Sequence, residues 1–186
     1  SIDRFLVSSA NSPTWTDAGG EHACANRDVI GCNWLVEGSG ALPYCTSCRH
    51  TLIIPDLSTA QNIDRWARLE RAKRMLFYAL HKFHLPLPEQ SEAPLDWLRF
   101  EFKADLLSFN GQQTSVKTGH EGGLITINVA EADDDVRERH RVAMGEPNRT
   151  RIGHFRHEGG HYYWDRLVPG GGRLDGFRAM VVGERM

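Results

Sequence analysis

The cysteines constrain this chain most. Its four cysteines, Cys24, Cys32, Cys45 and Cys48, all lie within 25 of the 186 residues, and the last two form a CxxC pair. The surrounding segment contains few large apolar side chains, so it cannot bury much of a core by itself. A bound metal ion or a pair of disulfides must therefore supply part of its folding energy.

A tetrahedral zinc ion held by all four thiolates is the alternative that the sequence favours. The first residues, SIDRFLVSSANSP, lack the basic stretch followed by an apolar run that marks a secretory signal, so oxidising conditions are not indicated. His22 and His50 each lie two residues from a cysteine and are candidate substitute ligands, although histidines at such positions are more often surface residues. We expect a zinc-ribbon-like region over residues 1–57, ending near Pro55.

The remaining residues, 58–186, combine helical and strand patterns. Apolar residues recur every three or four positions from Ile63 to Phe83, which predicts an amphipathic helix over about 60–84, with Ser58 or Thr59 as its cap. Alternation over 98–104 and an apolar run over 124–129 predict strands. Asn110-Gly111 marks a turn, and further helices are expected over 132–144, over 148–167 and from Leu174. This order predicts an α+β fold with a small antiparallel or mixed sheet.

The helix predicted over 148–167 contains the sequence HEGGH, an HExxH motif. His157 and His161 lie one turn apart on the same face and can share one zinc ion. Glu158 lies close enough to hold a water molecule on that ion and to act as general base. His154 and Asp165 continue the polar stripe.

Catalytic zinc usually has three protein ligands and one open position. Asp165 lies about 12 Å along the helix axis from His157, too far to join both histidines on one ion. We therefore expect Asp165 and His154 to orient the ligating imidazoles. Glu184 is the favoured third ligand, with Asp175 as the alternative.

Four further residues can donate hydrogen bonds to a developing oxyanion at the HExxH motif: Tyr162, Tyr163, His154 and His120. Residues of these types are more often packing or surface residues, and His154 is the best candidate of the four. If strand 124–129 lies at a sheet edge, it offers an extended peptide a pairing partner.

Bulk charge gives no reason to expect a nucleic acid or membrane partner. The net charge is −2, the pI is about 6.5, and no run approaches 18 apolar residues. The densest basic cluster lies on the long predicted helix and is expected to be a solvated face; it comprises Arg65, Arg68, Arg71, Lys73 and Arg74.

Several blocks of the chain resemble bacterial zinc-binding metallopeptidases that carry a zinc ribbon. The blocks are 24–27 (CANR), 31–36 (GCNWLV), 44–48 (YCTSC), 123–128 (GLITIN), 130–133 (AEAD) and 153–168 (GHFRHEGGHYYWDRLV). The resemblance implies a cytoplasmic protein with an N-terminal zinc-binding region and a C-terminal zincin-like domain. It also implies that His157 and His161 bind zinc and that Glu158 is the catalytic acid and base.

Two functions follow from these observations. The first is a zinc metallopeptidase that hydrolyses peptide bonds, with one catalytic zinc and one structural zinc held by the four cysteines. The alternative is a non-catalytic module that binds a protein or a nucleic acid and in which the HExxH zinc is structural or vestigial. A fourth protein ligand on that zinc would favour the module, and an open position would favour the enzyme.

Overall fold

The computed structural model describes residues 22–36, 42–94, 96–107, 113–134, 136, 150–169 and 172–183. Within these ranges the helices are α1 (Arg27–Ile30), α2 (Thr46–Arg49), α3 (Ala60–Lys82), α4 (Arg151–Leu167) and α5 (Leu174–Gly183), with a 3-10 helix at Val129–Ala132. The strands are β1 (His22–Ala23), β2 (Leu35–Val36), β3 (Thr51–Ile53), β4 (Arg99–Lys103), β5 (Leu106–Leu107), β6 (Gln113–Thr114), β7 (Gly119–Glu121) and β8 (Leu124–Asn128).

The main sheet has four strands in the order β3-β4-β8-β7. β4 pairs with both β3 and β8 in parallel, whereas β7 pairs with β8 antiparallel. The sheet is therefore mixed, and the predicted α+β fold is confirmed. β8 is an interior strand and cannot accept an added peptide, because β7 covers its outer side and is the edge strand there among the described strands.

The core lies between the sheet, α3 and α4. Phe155 of α4 is fully buried, and its ring centroid lies 5.7 Å from that of Phe100 and 6.2 Å from that of Phe102. On the other side of Phe100, the ring of Phe77 from α3 lies 5.9 Å away. These aromatic contacts fix one face of α4 against the sheet and leave its opposite face outward.

The long helices agree with the sequence patterns. α3 spans Ala60–Lys82 with Thr59 at its N-cap position. α4 begins at Arg151, three residues later than predicted, because the Thr150 side chain accepts a hydrogen bond from the Gly153 N–H and so caps the helix there. The last helix begins at Leu174 as predicted. The predicted Asn110-Gly111 turn and most of the predicted helix 132–144 lie outside the described residues.

The prediction that the basic cluster on α3 is a solvated face is wrong for two of its residues. Lys73 exposes no surface and Arg74 is 5% exposed. Two others are paired on the surface: Arg65 with Asp133, and Arg68 with Asp64. The cluster is therefore not a continuous basic surface, because Lys73 and Arg74 turn toward the interior.

The cysteine region is built from short elements that pack on α3. β1 and β2 form an antiparallel pair. The one-turn helix α1 follows β1, and the one-turn helix α2 precedes β3. The sequence patterns predicted neither helix. Trp34 meets Phe77 of α3 edge to face, with ring centroids 6.5 Å apart. β3 precedes residue 58 in the chain but belongs to the main sheet, so the region and the sheet share one hydrophobic core.

No helix in the described ranges combines the length and the apolar character needed to cross a membrane.

Candidate metal centres

The four cysteine side chains converge on one point. Their sulfur atoms all lie within 4.8 Å of one another, and all four residues are buried. The Sγ atom of Cys32 lies 3.7 Å from that of Cys45 and 3.8 Å from that of Cys48. Zn–S bonds of about 2.3 Å in a tetrahedron hold the sulfurs about 3.8 Å apart. The separations therefore fit a tetrahedral zinc ion.

Short turns bring the sulfurs together. Gly31 ends α1 in the left-handed conformation, with φ of 62°, and turns the chain directly into Cys32. Cys45 occupies the N-cap position of α2, so Cys48 follows one turn later. The backbone N–H of Cys45 donates to the Cys24 sulfur over 3.4 Å, which favours the thiolate form of Cys24.

The crowded thiols cannot all ionise by themselves. Hydrogen bonds from the other thiols, first that of Cys32, lower the pKa of Cys24. Hydrogen bonding to Cys24 raises the pKa of both Cys32 and Cys45. A divalent cation among them removes this conflict, because it stabilises all four thiolates together.

The histidines that flank the cysteines make other contacts. The Nε2 atom of His22 lies 3.2 Å from the carbonyl oxygen of Leu42. His50 is fully buried and donates from Nδ1 to the carbonyl oxygen of Leu98 over 2.5 Å. Burial lowers the pKa of His50 to about 4, so its ring is neutral at physiological pH.

The histidines of the HExxH motif face each other on α4. Their Nε2 atoms lie 3.3 Å apart, their rings are nearly perpendicular, and both His157 and His161 are exposed. Two nitrogens bonded to one tetrahedral zinc at about 2.0–2.1 Å lie about 3.3 Å apart. The two imidazoles can therefore bind one zinc ion without changing their separation.

The rest of α4 keeps the motif in place. Phe155, Tyr162 and Tyr163 are buried, and a Cβ atom on Gly159 would contact Leu76 of α3 at 3.5 Å. Gly159 therefore lets α4 approach α3 closely. Glu158, between the buried and exposed faces, is half-buried.

A polar cavity of about 390 Å³ adjoins the motif. It is lined by Asp96, His120, Gly122, Gly123, Tyr162, Asp165 and Arg166. The ring of His120 lies parallel to that of His161, with centroids 6.2 Å apart, and its Nε2 atom accepts a hydrogen bond from the Gly123 N–H. Burial lowers the pKa of His120, which favours its neutral form. The cavity therefore lies beside His120, the residue stacked on His161.

This cavity depends on a glycine. Gly123 has a φ of 80°, and a Cβ atom built there would lie 2.9 Å from the carbonyl oxygen of Trp97. A larger residue would strain the backbone and push the turn between β7 and β8 away from Trp97. The turn therefore fixes His120 beside His161.

Comparison with known proteins matches two parts of the chain to family models. A family model described as "Putative zinc-binding metallo-peptidase" matches residues 62–186, and a zinc-ribbon domain model matches residues 6–59. The chain belongs to this metallopeptidase family. The cluster of four cysteines lies within the residues that the zinc-ribbon model matches, and the chain is accordingly a zinc-binding member of the family.

The curated relatives are mycobacterial. One protein of Mycobacterium bovis and two of Mycobacterium tuberculosis strains, all described as uncharacterized, are each 43% identical to the chain over 145 residues. The alignment covers 78% of this chain and 41% of each relative, so the chain spans about two fifths of their length. No solved structure matches the chain.

The third ligand of the HExxH centre stays a prediction. Glu184 lies outside the described residues. Asp175 is fully exposed on α5, with its carboxylate 3.8 Å from Arg178. Among the described residues, the four cysteines form the one group of three or more His, Cys, Asp or Glu side chains close enough to share an ion.

The structure also shows where the other polar side chains predicted to act near the HExxH motif lie and what they contact. Tyr162 donates to the carbonyl oxygen of Asp96 and Tyr163 to that of Pro86, so these hydroxyls serve packing. The Nδ1 atom of His154 lies 3.5 Å from the carboxylate of Glu131. Asp165 is exposed and lines the cavity. That His154 and Asp165 orient the ligating imidazoles stays a prediction.

Sequence reasoning missed several cavity residues. Asp96 and Arg166 form an ion pair across the cavity wall, although 70 positions separate them in the chain. Gly123 only precedes the predicted strand 124–129 in the sequence. No local pattern marks these residues, because the packing of α4 on the sheet is what brings them together.

Proposed function

We propose that this chain is a zinc-dependent metallopeptidase that hydrolyses peptide bonds at the HExxH motif. His157 and His161 hold the ion, and Glu158 is the general base. The separation of 3.3 Å between the two Nε2 atoms supports this proposal most directly, because it suits one zinc ion. Both imidazoles are exposed, so a substrate can reach them.

Zinc, when bound, supplies Lewis-acid polarisation of the scissile carbonyl and acidifies a water molecule. Glu158 accepts one proton from that water as its oxygen bonds to the carbonyl carbon. Glu158 then gives the proton to the amide nitrogen as the C–N bond breaks. One water molecule is consumed, and a carboxylic acid and an amine are released.

Glu184 is proposed as the third ligand, and Asp175 remains the alternative. α5, the helix that precedes Glu184, packs on the motif helix through the rings of Phe177 and Trp164, with centroids 4.4 Å apart. Since three protein ligands leave a tetrahedral zinc ion one open position, this arrangement suits catalysis.

An extended peptide is the proposed substrate. β7 forms one edge of the sheet, and His120 of this strand lies beside His161. Backbone pairing with β7 would carry a peptide past the motif. The adjoining cavity has polar walls that include Asp165 and Arg166, so a polar substrate side chain suits it.

The cysteine cluster is proposed to bind a second, structural zinc ion. Its four ligands are all from the protein, which closes the coordination sphere. The cluster needs reduced thiols, as are found in the cytoplasm, and we propose that location.

The test compares wild-type protein with Glu158→Gln, and uses Glu92→Gln, an exposed site on the connector before β4, as the matched control. A peptide library is incubated with each zinc-loaded protein and products are identified by mass spectrometry. We expect Glu158→Gln to keep its zinc and to cleave at least about 100-fold more slowly. Glu92→Gln should cleave normally.

Equal cleavage by Glu158→Gln and wild type would contradict the role of Glu158. X-ray absorption at the zinc edge distinguishes the peptidase from the alternative function by the ligands of the HExxH zinc. Four protein ligands on the HExxH zinc would favour a non-catalytic binding module, whereas three protein ligands and a water would favour the enzyme.

A further inference from the structure

A second and larger cavity lies on the cysteine side of the protein. Its volume is about 520 Å³, within the range of small-molecule sites of about 300–1,000 Å³. Tyr44, Arg49 and the proposed zinc ligand Cys48 line it from the cysteine region, Trp66 from α3, and Glu89 and Trp97 from the connector before β4. The HExxH motif does not contribute to its walls, so the cavity needs an explanation of its own.

His50 gives this cavity a specific polar group. The residue lines the cavity and exposes no surface to solvent. Its Nδ1 atom donates to the carbonyl oxygen of Leu98, which leaves Nε2 as the nitrogen available to accept a hydrogen bond. Among the described residues, Nε2 has no hydrogen-bond partner. A buried acceptor of this kind favours a ligand that donates an N–H group.

Aromatic side chains form part of the cavity wall. Trp66 and Trp97 are 3% and 5% exposed, whereas Tyr44 is 42% exposed and lies nearer to solvent. Aromatic walls pack well against planar aromatic rings. The ring of His50 belongs to the same group, with its centroid 5.5 Å from that of Trp97.

Arg49 and Glu89, two charged side chains that line the cavity, are paired with each other. The Arg49 guanidinium donates from Nε to the carboxylate of Glu89 over 3.2 Å and from Nη1 to the carbonyl oxygen of Tyr44 over 2.9 Å. Because Arg49 and Glu89 are already paired, this pair offers no free counter-charge to a cation or to an anion.

We propose that this cavity binds a neutral, planar aromatic compound with one N–H donor, which donates a hydrogen bond to Nε2 of His50. The site lies where the cysteine region meets the sheet, a common location for ligand sites. Binding here is independent of the proposed peptidase activity, because it uses none of the HExxH residues.

Indole and 1-methylindole test the proposal, because a methyl group replaces the N–H hydrogen in the second compound and neither is a good zinc ligand. Each is titrated into the zinc-loaded full chain, and ¹H–¹⁵N spectra follow His50, Trp66 and Trp97. We expect indole to bind about tenfold more tightly than 1-methylindole. His50→Phe should abolish this difference. His81→Phe, the same change at an exposed position of α3, should preserve it.

Three results would overturn the proposal: equal affinities of the two compounds for wild-type protein, no saturable binding of indole up to its solubility limit, or spectral changes confined to other parts of the protein. The comparison of the two compounds on wild-type protein stands even if His50→Phe fails to fold.

Discussion

The ammonium group of Lys73 donates to the carboxylate of Glu70 over 2.9 Å, and neither side chain exposes any surface. The same carboxylate oxygen accepts hydrogen bonds from Thr51 over 2.6 Å and from Trp66 over 3.3 Å. Lys73 also lies 5.4 to 5.9 Å from the ring centroids of three phenylalanines, Phe77, Phe100 and Phe102. This buried pair therefore links β3, α3 and β4.

Lys73→Met should destabilise the protein by about 3–5 kcal/mol, because it leaves the buried carboxylate of Glu70 without its cation. Urea unfolding at pH 7 measures the change. Arg71→Met, at an exposed position of the same helix, should change stability by less than about 0.5 kcal/mol. The double variant Glu70→Gln/Lys73→Met should regain much of the loss. Equal stabilities of Lys73→Met and Arg71→Met would contradict the account.

This pair shows where sequence patterns stop being informative. The spacing of apolar residues predicted α3, because a helix that covers a sheet must repeat every three or four residues. It could not show that Lys73 turns inward, since burial of a lysine depends on a carboxylate and three aromatic rings supplied by the tertiary fold.

The same limit applies to the candidate site. The spacing of His157 and His161 predicted their approach, because one helical turn fixes it. The adjoining cavity depends on Asp96, Gly123 and Arg166, which come from separate segments. The edge position of β7 was also unpredicted, because strand order is set by long-range pairing.

Gly160→Ala should raise the free energy of unfolding by about 1 kcal/mol, because alanine is the better helix former and a Cβ atom at this position meets nothing within 4 Å. Thermal or urea unfolding of the zinc-loaded protein measures the gain, and zinc content should not change. A loss of stability would show that Gly160 has a role that its open surroundings do not indicate.

His50 should make stability depend on pH. Its pKa is lowered to about 4 by burial, whereas an unfolded histidine has a pKa near 6.5. The unfolded state therefore binds the proton first, and stability is lost as the pH falls from about 6.5 toward 4.

Between pH 7.5 and 5.5 this loss should amount to about 1 kcal/mol. Urea unfolding of wild-type protein and His50→Phe at both pH values isolates the contribution, since other titrating groups are common to the two proteins. The variant should lose about 1 kcal/mol less than wild type. An identical loss in both would show that His50 is not neutral in the folded state.

Zinc content tests the central claim most directly, namely that the cysteine cluster and the HExxH motif each hold an ion. Mass spectrometric metal analysis of the purified, zinc-saturated chain should give two zinc ions per chain. His157→Ala/His161→Ala should retain one zinc ion, with four sulfur ligands by X-ray absorption. Cys45→Ser/Cys48→Ser should lose the sulfur-bound ion. One zinc ion per wild-type chain, unchanged in the double histidine variant, would contradict the account.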